Sequence, residues 1–189
     1  MAHQPRGEKD VIGWTEYIDF PDWDVRGLKA KIDTGARTSA LHVENIEELP
    51  FNYVKFQVVL DRKRESKRVW VTSKILKRAK VRSSSGHFTL RYFVQVKARI
   101  GHVVKPIDVS LVSREKMVFR MLLGRKALEQ DFLVDVGKRA QLTKKPRKKI
   151  RKNSEPPTDA ILLSEWAKAP RKKLRKQTAQ KSRRLDEEE

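Results

Sequence analysis

The fold is decided by the stretch Lys31-Ile32-Asp33-Thr34-Gly35-Ala36-Arg37-Thr38-Ser39. An alternating segment, Lys29–Asp33, runs directly into Asp-Thr-Gly-Ala. Taken alone, Asp-Thr-Gly indicates a tight turn, because Asp bonds its own backbone and Gly permits positive φ. A motif this short arises by chance in roughly a few per cent of chains of this length. A second signal is therefore needed to choose between a turn and a catalytic loop.

The second signal is the late segment Phe119-Arg120-Met121-Leu122-Leu123-Gly124-Arg125, in which an apolar strand ends in Gly-Arg. Alone, it predicts a strand that bends into a helix. Between the two segments lies Val81–Phe88 (VRSSSGHF), where a glycine sits at the tip of a predicted hairpin. The order of the three segments along the chain is more informative about the fold than any one segment alone.

The first 143 residues are dominated by alternating, β-branched and aromatic stretches, which favour strands. Besides Lys29–Asp33, the predicted strands are 53–60, 67–72, 87–100 and 103–112. A short helix is predicted after Gly124, in the sequence RKALEQ. Short strands at this density indicate a small barrel or sandwich.

Together, the early Asp-Thr-Gly-Ala, the glycine-tipped hairpin and the late Leu-Leu-Gly-Arg resemble the retropepsin family of aspartic proteases. The resemblance spans roughly Ile12 to Leu142. It is closer to a bacterial branch often labelled ATP-dependent zinc protease, or RimB-like, whose members are associated with RimK-type ATP-grasp ligases. The resemblance implies an all-β, retropepsin-like barrel with one short helix over residues 10–142.

The resemblance also implies a mechanism in which two carboxylates activate water. The sequence contains one Asp-Thr-Gly, and Asp135-Val136-Gly137 is a poor second copy because Val lacks the hydroxyl. A homodimer is therefore expected, with one Asp33 from each subunit and with 132–136 as the candidate terminal strand of the interface. The expected catalytic residues are Asp33, Thr34 and Gly35, and the residues expected to pack beneath them are Leu122, Leu123 and Gly124.

Arg37 occupies a position that is commonly acidic in viral retropepsins, and the resemblance places it near Arg125. Arg37 either points into solvent or, with Arg125, forms a subsite for an anionic substrate, which suits acidic or glutamate-modified proteins. The expected substrate-binding residues are Ala36, Arg37, Ser84, Ser85, Gly86 and Arg125. His42 is expected to serve structural packing.

No cofactor or metal is expected. The four histidines, at positions 3, 42, 87 and 102, lack the spacing of a His-Glu-x-x-His zinc site, and the eight glycines are all isolated, unlike a phosphate-binding loop. The chain has no cysteine, which excludes disulfides and thiol nucleophiles.

Charge marks out a tail over residues 143–189. Residues 144–189 contain 16 Lys or Arg and 7 Asp or Glu, within a chain of net charge +20. We expect this tail to be largely disordered, with a possible short helix at 158–168, and either to bind RNA or the ribosome or to act as a solubility tail. With no signal peptide and no apolar run of about 20 residues, we expect a soluble, cytoplasmic protein without membrane contact.

Two functions follow from the sequence. The first is a homodimeric aspartic endopeptidase. The alternative is a non-proteolytic binding module of the same fold that regulates a RimK-type ligase or docks on the ribosome or RNA.

Overall fold

The computed structural model describes residues 8–61, 67–82, 88–115 and 117–144. Within these ranges one α-helix and ten strands form in this order: β1 (Asp10–Gly13), β2 (Thr15–Phe20), β3 (Val25–Ile32), β4 (Ser39–Leu49), β5 (Tyr53–Val59), β6 (Arg68–Arg82), β7 (Phe88–Ile100), β8 (Val103–Val112), β9 (Met121–Leu123), α1 (Arg125–Leu128) and β10 (Phe132–Asp135). Short 3-10 helices at Pro21–Trp23 and Pro50–Asn52 connect β2 to β3 and β4 to β5. No helix in the described part of the chain is long and apolar enough to cross a membrane.

Eight strands form one sheet in the order β2-β3-β9-β4-β5-β6-β7-β8, and pairings of β2 with β7 and of β4 with β8 join distant strands of that order. The sheet is therefore a closed barrel. Its interior is filled from alternate strand positions, as the period of two requires. In β3, Leu28, Ala30 and Ile32 are buried, whereas Lys29 and Lys31 between them are exposed.

The short strand β9 positions the candidate site. It lies between β3 and β4, parallel to β3 with Ile32 opposite Leu123, and antiparallel to β4 with Ala40 opposite Leu122. The residues that follow β3 and the residues that follow β9 therefore emerge side by side.

Strands β1 and β10 form a separate, parallel two-stranded sheet, in which Val11 lies opposite Leu133. The chain around this sheet is fastened by Glu16, which is fully buried. Its carboxylate accepts N–H bonds from Gly13 (2.8 Å), Gln141 (2.8 Å), Leu142 (3.3 Å) and Thr143 (3.0 Å), and a bond from the Thr143 hydroxyl. One carboxylate thus ties the start of β2 to the segment after β10.

The predicted all-β barrel with one short helix is confirmed. Three element lengths differ clearly from the prediction. Strand β3 begins at Val25 rather than Lys29, because β2 pairs with it as far as Phe20 opposite Val25. Strand β6 continues to Arg82 rather than ending near Thr72, because β7 pairs with it as far as Arg82 opposite Phe88. Helix α1 has four residues rather than the six of RKALEQ. The possible helix at 158–168 and the tail beyond Lys144 lie outside the described residues.

Candidate active site

The Asp33 loop is held by its own backbone. Oδ1 of Asp33 accepts the N–H groups of Gly35 and Ala36, each at 3.1 Å. The N–H of Asp33 donates to the Leu123 carbonyl at 2.8 Å, which extends the β3–β9 pairing by one residue. Asp33 is half-buried and Thr34 and Gly35 are exposed. The carboxylate is therefore fixed in place at a position that solvent can reach.

The Leu122-Leu123-Gly124 segment lies against this loop. Leu123 is fully buried, and Gly124 is buried against the backbone of Thr38. A Cβ on Gly124 would stand 2.6 Å from the Thr38 carbonyl carbon, too close for any other residue. Glycine is required here by the close approach of two backbones. The Gly124 N–H also donates to Oγ of Ser39 at 3.3 Å.

Arg125 closes the loop from the other side. Its Nη1 donates to the carbonyls of Thr34 (3.1 Å) and Gly35 (2.8 Å), and its N–H donates to the Ala36 carbonyl at 2.9 Å. Part of the guanidinium thus stabilises the Asp-Thr-Gly backbone. Its predicted role in binding substrate stays a prediction.

The other predicted substrate-binding residues divide into two groups. Ala36 is half-buried and Arg37 is exposed, and the Arg37 carbonyl accepts the N–H of Lys126 at 3.1 Å. Ser84, Ser85 and Gly86 lie outside the described residues. Because β6 and β7 pair up to the residues that flank 83–87, the hairpin expected between the two motifs is present up to that point.

The turn chemistry alone does not single out Asp33. Asp135, in the poor second copy, makes the same local bond: its Oδ1 accepts the Gly137 N–H at 2.9 Å. That bond, with Lys138 at 3.1 Å, lowers the pKa of Asp135 below its ordinary value. Asp33 differs because β9 and Arg125 lie against its loop.

Sequence reasoning missed Arg114, in the loop between β8 and β9. Arg114 is half-buried, and its Nε donates to the Phe119 carbonyl at 3.2 Å. Burial lowers the pKa of Arg114, the negative charge of Asp33 raises it, and the positive charge of Arg91 lowers it. Nothing in its local sequence, SREK, distinguishes it from a surface arginine.

His42 holds the backbone of this loop. Its side chain is fully buried in β4, and Nδ1 accepts the Arg114 N–H at 2.8 Å. Nε2 has no hydrogen-bond partner and lies 3.5 Å from Oε1 of Glu44, at the wall of a 550 Å³ surface pocket. Burial first, and then the charge of Arg120, lower the pKa of His42 from its ordinary value of 6.5. The predicted packing role thus includes placing Arg114.

Metal ligands do not gather in the part of the chain that the structure describes: no three of its His, Asp and Glu side chains form a group suited to a metal ion. In His42, Nδ1 accepts an N–H, so in the neutral ring Nε2 carries the proton and has no lone pair for zinc.

Three comparisons place this arrangement among known proteins. A sequence model described as RimB-like, retropepsin-like aspartic endopeptidase RimB, matches residues 11–145. A Legionella pneumophila protein of unknown function, Lpg0085, has a crystal structure that superposes with a TM-score of 0.61 at 24% identity, covering 72% of this chain and 100% of that one. This structural likeness shows the shared fold.

Several relatives are named as ligases rather than as proteases. A probable alpha-L-glutamate ligase of Shewanella halifaxensis is 33% identical over 132 residues, and one of Desulfotalea psychrophila is 30% identical over 130. Each match covers 67% of this chain but 28% of the relative, so the chain spans little more than a quarter of those proteins. The family match covers well over half of the chain, including both motifs of the Asp33 site. The chain therefore belongs to the RimB-like family of retropepsin-like proteins.

Proposed function

We propose that this chain is an aspartic endopeptidase that acts as a homodimer, with one Asp33 from each subunit in a water-activating dyad. The observation that carries the proposal is the Asp33 loop, solvent-accessible and braced by Leu123 and Arg125. Such bracing suits a carboxylate that must keep its position while substrate binds.

The proposed chemistry needs both carboxylates. Two carboxylates about 3 Å apart share one proton, because both cannot be charged at that distance. One removes a proton from water as the water oxygen attacks the amide carbon, and the other protonates the carbonyl oxygen. Collapse of the tetrahedral intermediate then breaks the C–N bond, and the leaving nitrogen takes a proton from the dyad. Thr34 would hydrogen-bond across the two-fold axis, and Gly35 would let the substrate backbone approach.

The β1–β10 sheet supports the dimer. An isolated two-stranded sheet is marginally stable, and its outer edges can pair with further strands. Among the described residues this sheet has two strands and exposes Val11 (44%) and Leu133 (55%), and Val136 (81%), directly after β10, is exposed as well. Association with a second copy would bury these apolar side chains and continue the sheet.

Proteins that carry acidic or added glutamate residues are the proposed substrates. Two observations support this choice: the curated relatives are named glutamate ligases, and Arg125 donates to the backbone of the Asp33 loop, in which Arg37 is exposed. Such a protease would remove or shorten the glutamate chains that a RimK-type ligase adds.

The test mixes wild-type protein with an excess of Asp33→Asn protein and measures cleavage of a glutamate-tailed peptide per wild-type chain. The amide keeps the shape of the side chain but cannot act as the base, so mixed dimers lack a working dyad. Specific activity should fall steeply as the mutant fraction rises. Light scattering confirms that mixed dimers form.

Asp19→Asn protein is the matched control. Asp19 also accepts a backbone N–H, from Gly27 at 2.7 Å, but it lies on β2 away from the loop, so its excess should leave activity unchanged. Constant activity in the presence of Asp33→Asn protein, with mixed dimers present, would rule out the shared dyad.

A binding module that regulates a RimK-type ligase is the second candidate function. It is favoured by the occurrence of this region within proteins named as ligases. One substitution distinguishes the two functions. If the chain is an endopeptidase, Asp33→Asn should abolish cleavage. If it is a binding module, Asp33→Asn should leave any stimulation of a glutamate ligase intact.

A further inference from the structure

The surface pocket beside His42 contains a buried polar group that has no partner. Nε2 of His42 belongs to a fully enclosed side chain and makes no hydrogen bond within the part of the chain that the structure describes. Because Nδ1 accepts the Arg114 N–H at 2.8 Å, the proton of the neutral ring lies on Nε2. The pocket wall therefore holds a donor without an acceptor, which destabilises the protein unless something bonds to it.

An acceptor lies beside this donor but too far away to satisfy it. Oε1 of Glu44 is 3.5 Å from Nε2, whereas Oε2 of Glu44 accepts a bond from Nε of Arg68 at 2.7 Å. Arg68 thus holds the carboxylate with Oε1 next to Nε2. The wall of the pocket presents one donor and one acceptor side by side.

The pocket has the size of a site for a small molecule. Its volume of 550 Å³ falls within the range of about 300–1,000 Å³ that is usual for ligand pockets. Strand β4 bulges here: its register with β5 shifts just after Glu44, and Asn45 lies in the left-handed region at φ 50°. Bulges often lie next to functional sites, because they redirect side chains. Two apolar and two polar residues also line the pocket: Val43, Ile46, Ser113 and Glu115.

The charges of the pocket disfavour anions, unlike the charge of the whole chain. Arg68 neutralises Glu44, and Glu115 adds a second carboxylate, within a chain of net charge +20. A carboxylate or phosphate would place acceptor oxygens against Oε1 of Glu44. An ammonium or guanidinium would place N–H donors against Nε2 of His42. A group that satisfies both must itself carry an acceptor beside a donor.

We propose that this pocket binds a small molecule through a planar amide-type edge, with the acceptor of that edge at His42 Nε2 and its N–H donor at Glu44 Oε1. A primary carboxamide has such an edge, and so does adenine, in which a ring nitrogen accepts and the amino group donates. The Glu44 side chain is 29% exposed, so its carboxylate can turn slightly to admit the group. The amide site does not depend on the proposed peptidase activity.

Three fragments of one shape test the edge on the full-length protein near neutral pH. Benzamide carries an acceptor and a donor, benzoate carries two acceptors, and benzamidine carries donors only. Each fragment is titrated while its NMR signals are followed. Benzamide should bind at least about tenfold more tightly than benzoate, because benzoate brings an oxygen against Glu44. Absence of benzamide binding, or tighter binding of benzoate, would overturn the proposal.

Glu44→Gln should shift the preference towards benzoate. Nε of Arg68 would hold the amide oxygen where Oε2 lies, which places the NH₂ group beside Nε2, so the wall then offers two donors. Benzamide should bind this variant about tenfold more weakly, and benzoate should bind it more tightly than it binds wild type. Glu47→Gln, at an exposed position of the same strand, is the control and should change neither affinity. An unchanged preference in Glu44→Gln would contradict the donor–acceptor pair.

His42→Asn removes the donor and keeps an acceptor for the Arg114 N–H, because the Asn oxygen lies near the position of Nδ1. Benzamide should lose about tenfold in affinity, whereas benzamidine should not, since it has no acceptor for Nε2–H. Thermal unfolding checks that the variant is folded. Equal affinity of wild type and folded His42→Asn for benzamide would indicate an acidic pocket without amide recognition, and would overturn the proposal.

Competition distinguishes the two sources of the edge. Displacement of benzamide by glutamine but not by glutamate identifies a carboxamide ligand, and displacement by adenosine identifies a base. If neither glutamine nor adenosine displaces benzamide, the assignment of the pocket to these two classes of small molecule is wrong.

Discussion

The imidazole of His42 is a buried group whose charge state matters to the fold. It is fully enclosed in β4, accepts the Arg114 N–H, and faces the positive charge of Arg120. Glu44, 3.5 Å from Nε2, partly offsets these effects, but Oε2 of Glu44 is already bonded to Nε of Arg68 at 2.7 Å. The folded protein therefore favours the neutral ring.

We predict that His42 makes the protein less stable in mild acid. Its pKa in the folded state lies below the ordinary 6.5, so the unfolded chain takes up the proton first as pH falls. The stability associated with the neutral ring is full above about pH 6.5 and is lost as pH falls towards the folded pKa. Urea unfolding from pH 7.5 to pH 5 should show a decline in wild type and a flatter profile in His42→Asn.

His102→Asn is the control for that series. His102 is 72% exposed and pairs with Asp10 at 3.1 Å on the surface, where an ion pair contributes little. This variant should keep the wild-type decline. If it flattens the profile as much as His42→Asn does, the buried imidazole is not the cause.

Single residues of the site differ in how far the sequence could identify them. Asp33 and Gly124 were found because each belongs to a short motif whose residue types have a local reason: an aspartate that bonds its own loop, and a glycine that admits a close backbone. The position of Arg114 was missed because its backbone is held by His42, which lies 72 positions earlier in the chain. No local sequence pattern encodes a contact between residues that are so far apart in the chain.

Glu16 shows, for a whole strand, that burial which depends on distant residues cannot be predicted from the local sequence. In the sequence, the TEYIDF of β2 looks half exposed, since Thr15, Glu16 and Asp19 are polar. In the fold, Thr15 and Glu16 are both buried, and Glu16 bonds residues 125 to 127 positions later. Strands β5, β7 and β8 were predicted well because their alternation follows burial in a two-sided sheet. Strands β1 and β2 were not predicted, because contacts with residues distant in the chain, rather than local alternation, decide which of their side chains are buried.

We predict that Glu16→Gln lowers the free energy of unfolding by about 1–3 kcal/mol, the cost of leaving buried hydrogen-bonding groups unpaired. The amide replaces one acceptor oxygen with an NH₂ group, which would face N–H donors of the 141–143 segment. Urea denaturation measures the change, with the exposed Glu47→Gln on β4 as control. Equal stability of Glu16→Gln and wild type would show that the 141–143 segment is not anchored in this way.

The charge of the whole molecule works against the proposed dimer. A net charge of +20 on each chain opposes association, most strongly at low ionic strength, where screening is weak. A peptide that binds across two subunits would stabilise the dimer by mass action. Acidic peptides would stabilise the dimer in two ways, because they bind across both subunits and also reduce the repulsion between the two positive charges.

We predict that the basic tail gives salt-sensitive, sequence-tolerant binding to RNA. Its 16 Lys and Arg residues would release counterions from the phosphates, so affinity should fall steeply as salt rises. A chain ending at Lys144 should bind more weakly, with a shallower dependence on salt, while keeping its thermal midpoint. Truncated and full-length proteins that bind RNA equally at low and high salt would contradict this prediction.

The bond between the Arg125 guanidinium and the Asp33 loop has a consequence for how the protein is made. Arg125 comes 91 positions after the Thr34 carbonyl that it braces, and Leu123 comes equally late. A chain still emerging from the ribosome contains the Asp-Thr-Gly long before it contains the strand that gives that loop its shape. The site therefore has no assembled form until nearly the whole barrel has been synthesised, and under the proposed function an incomplete chain would be inactive.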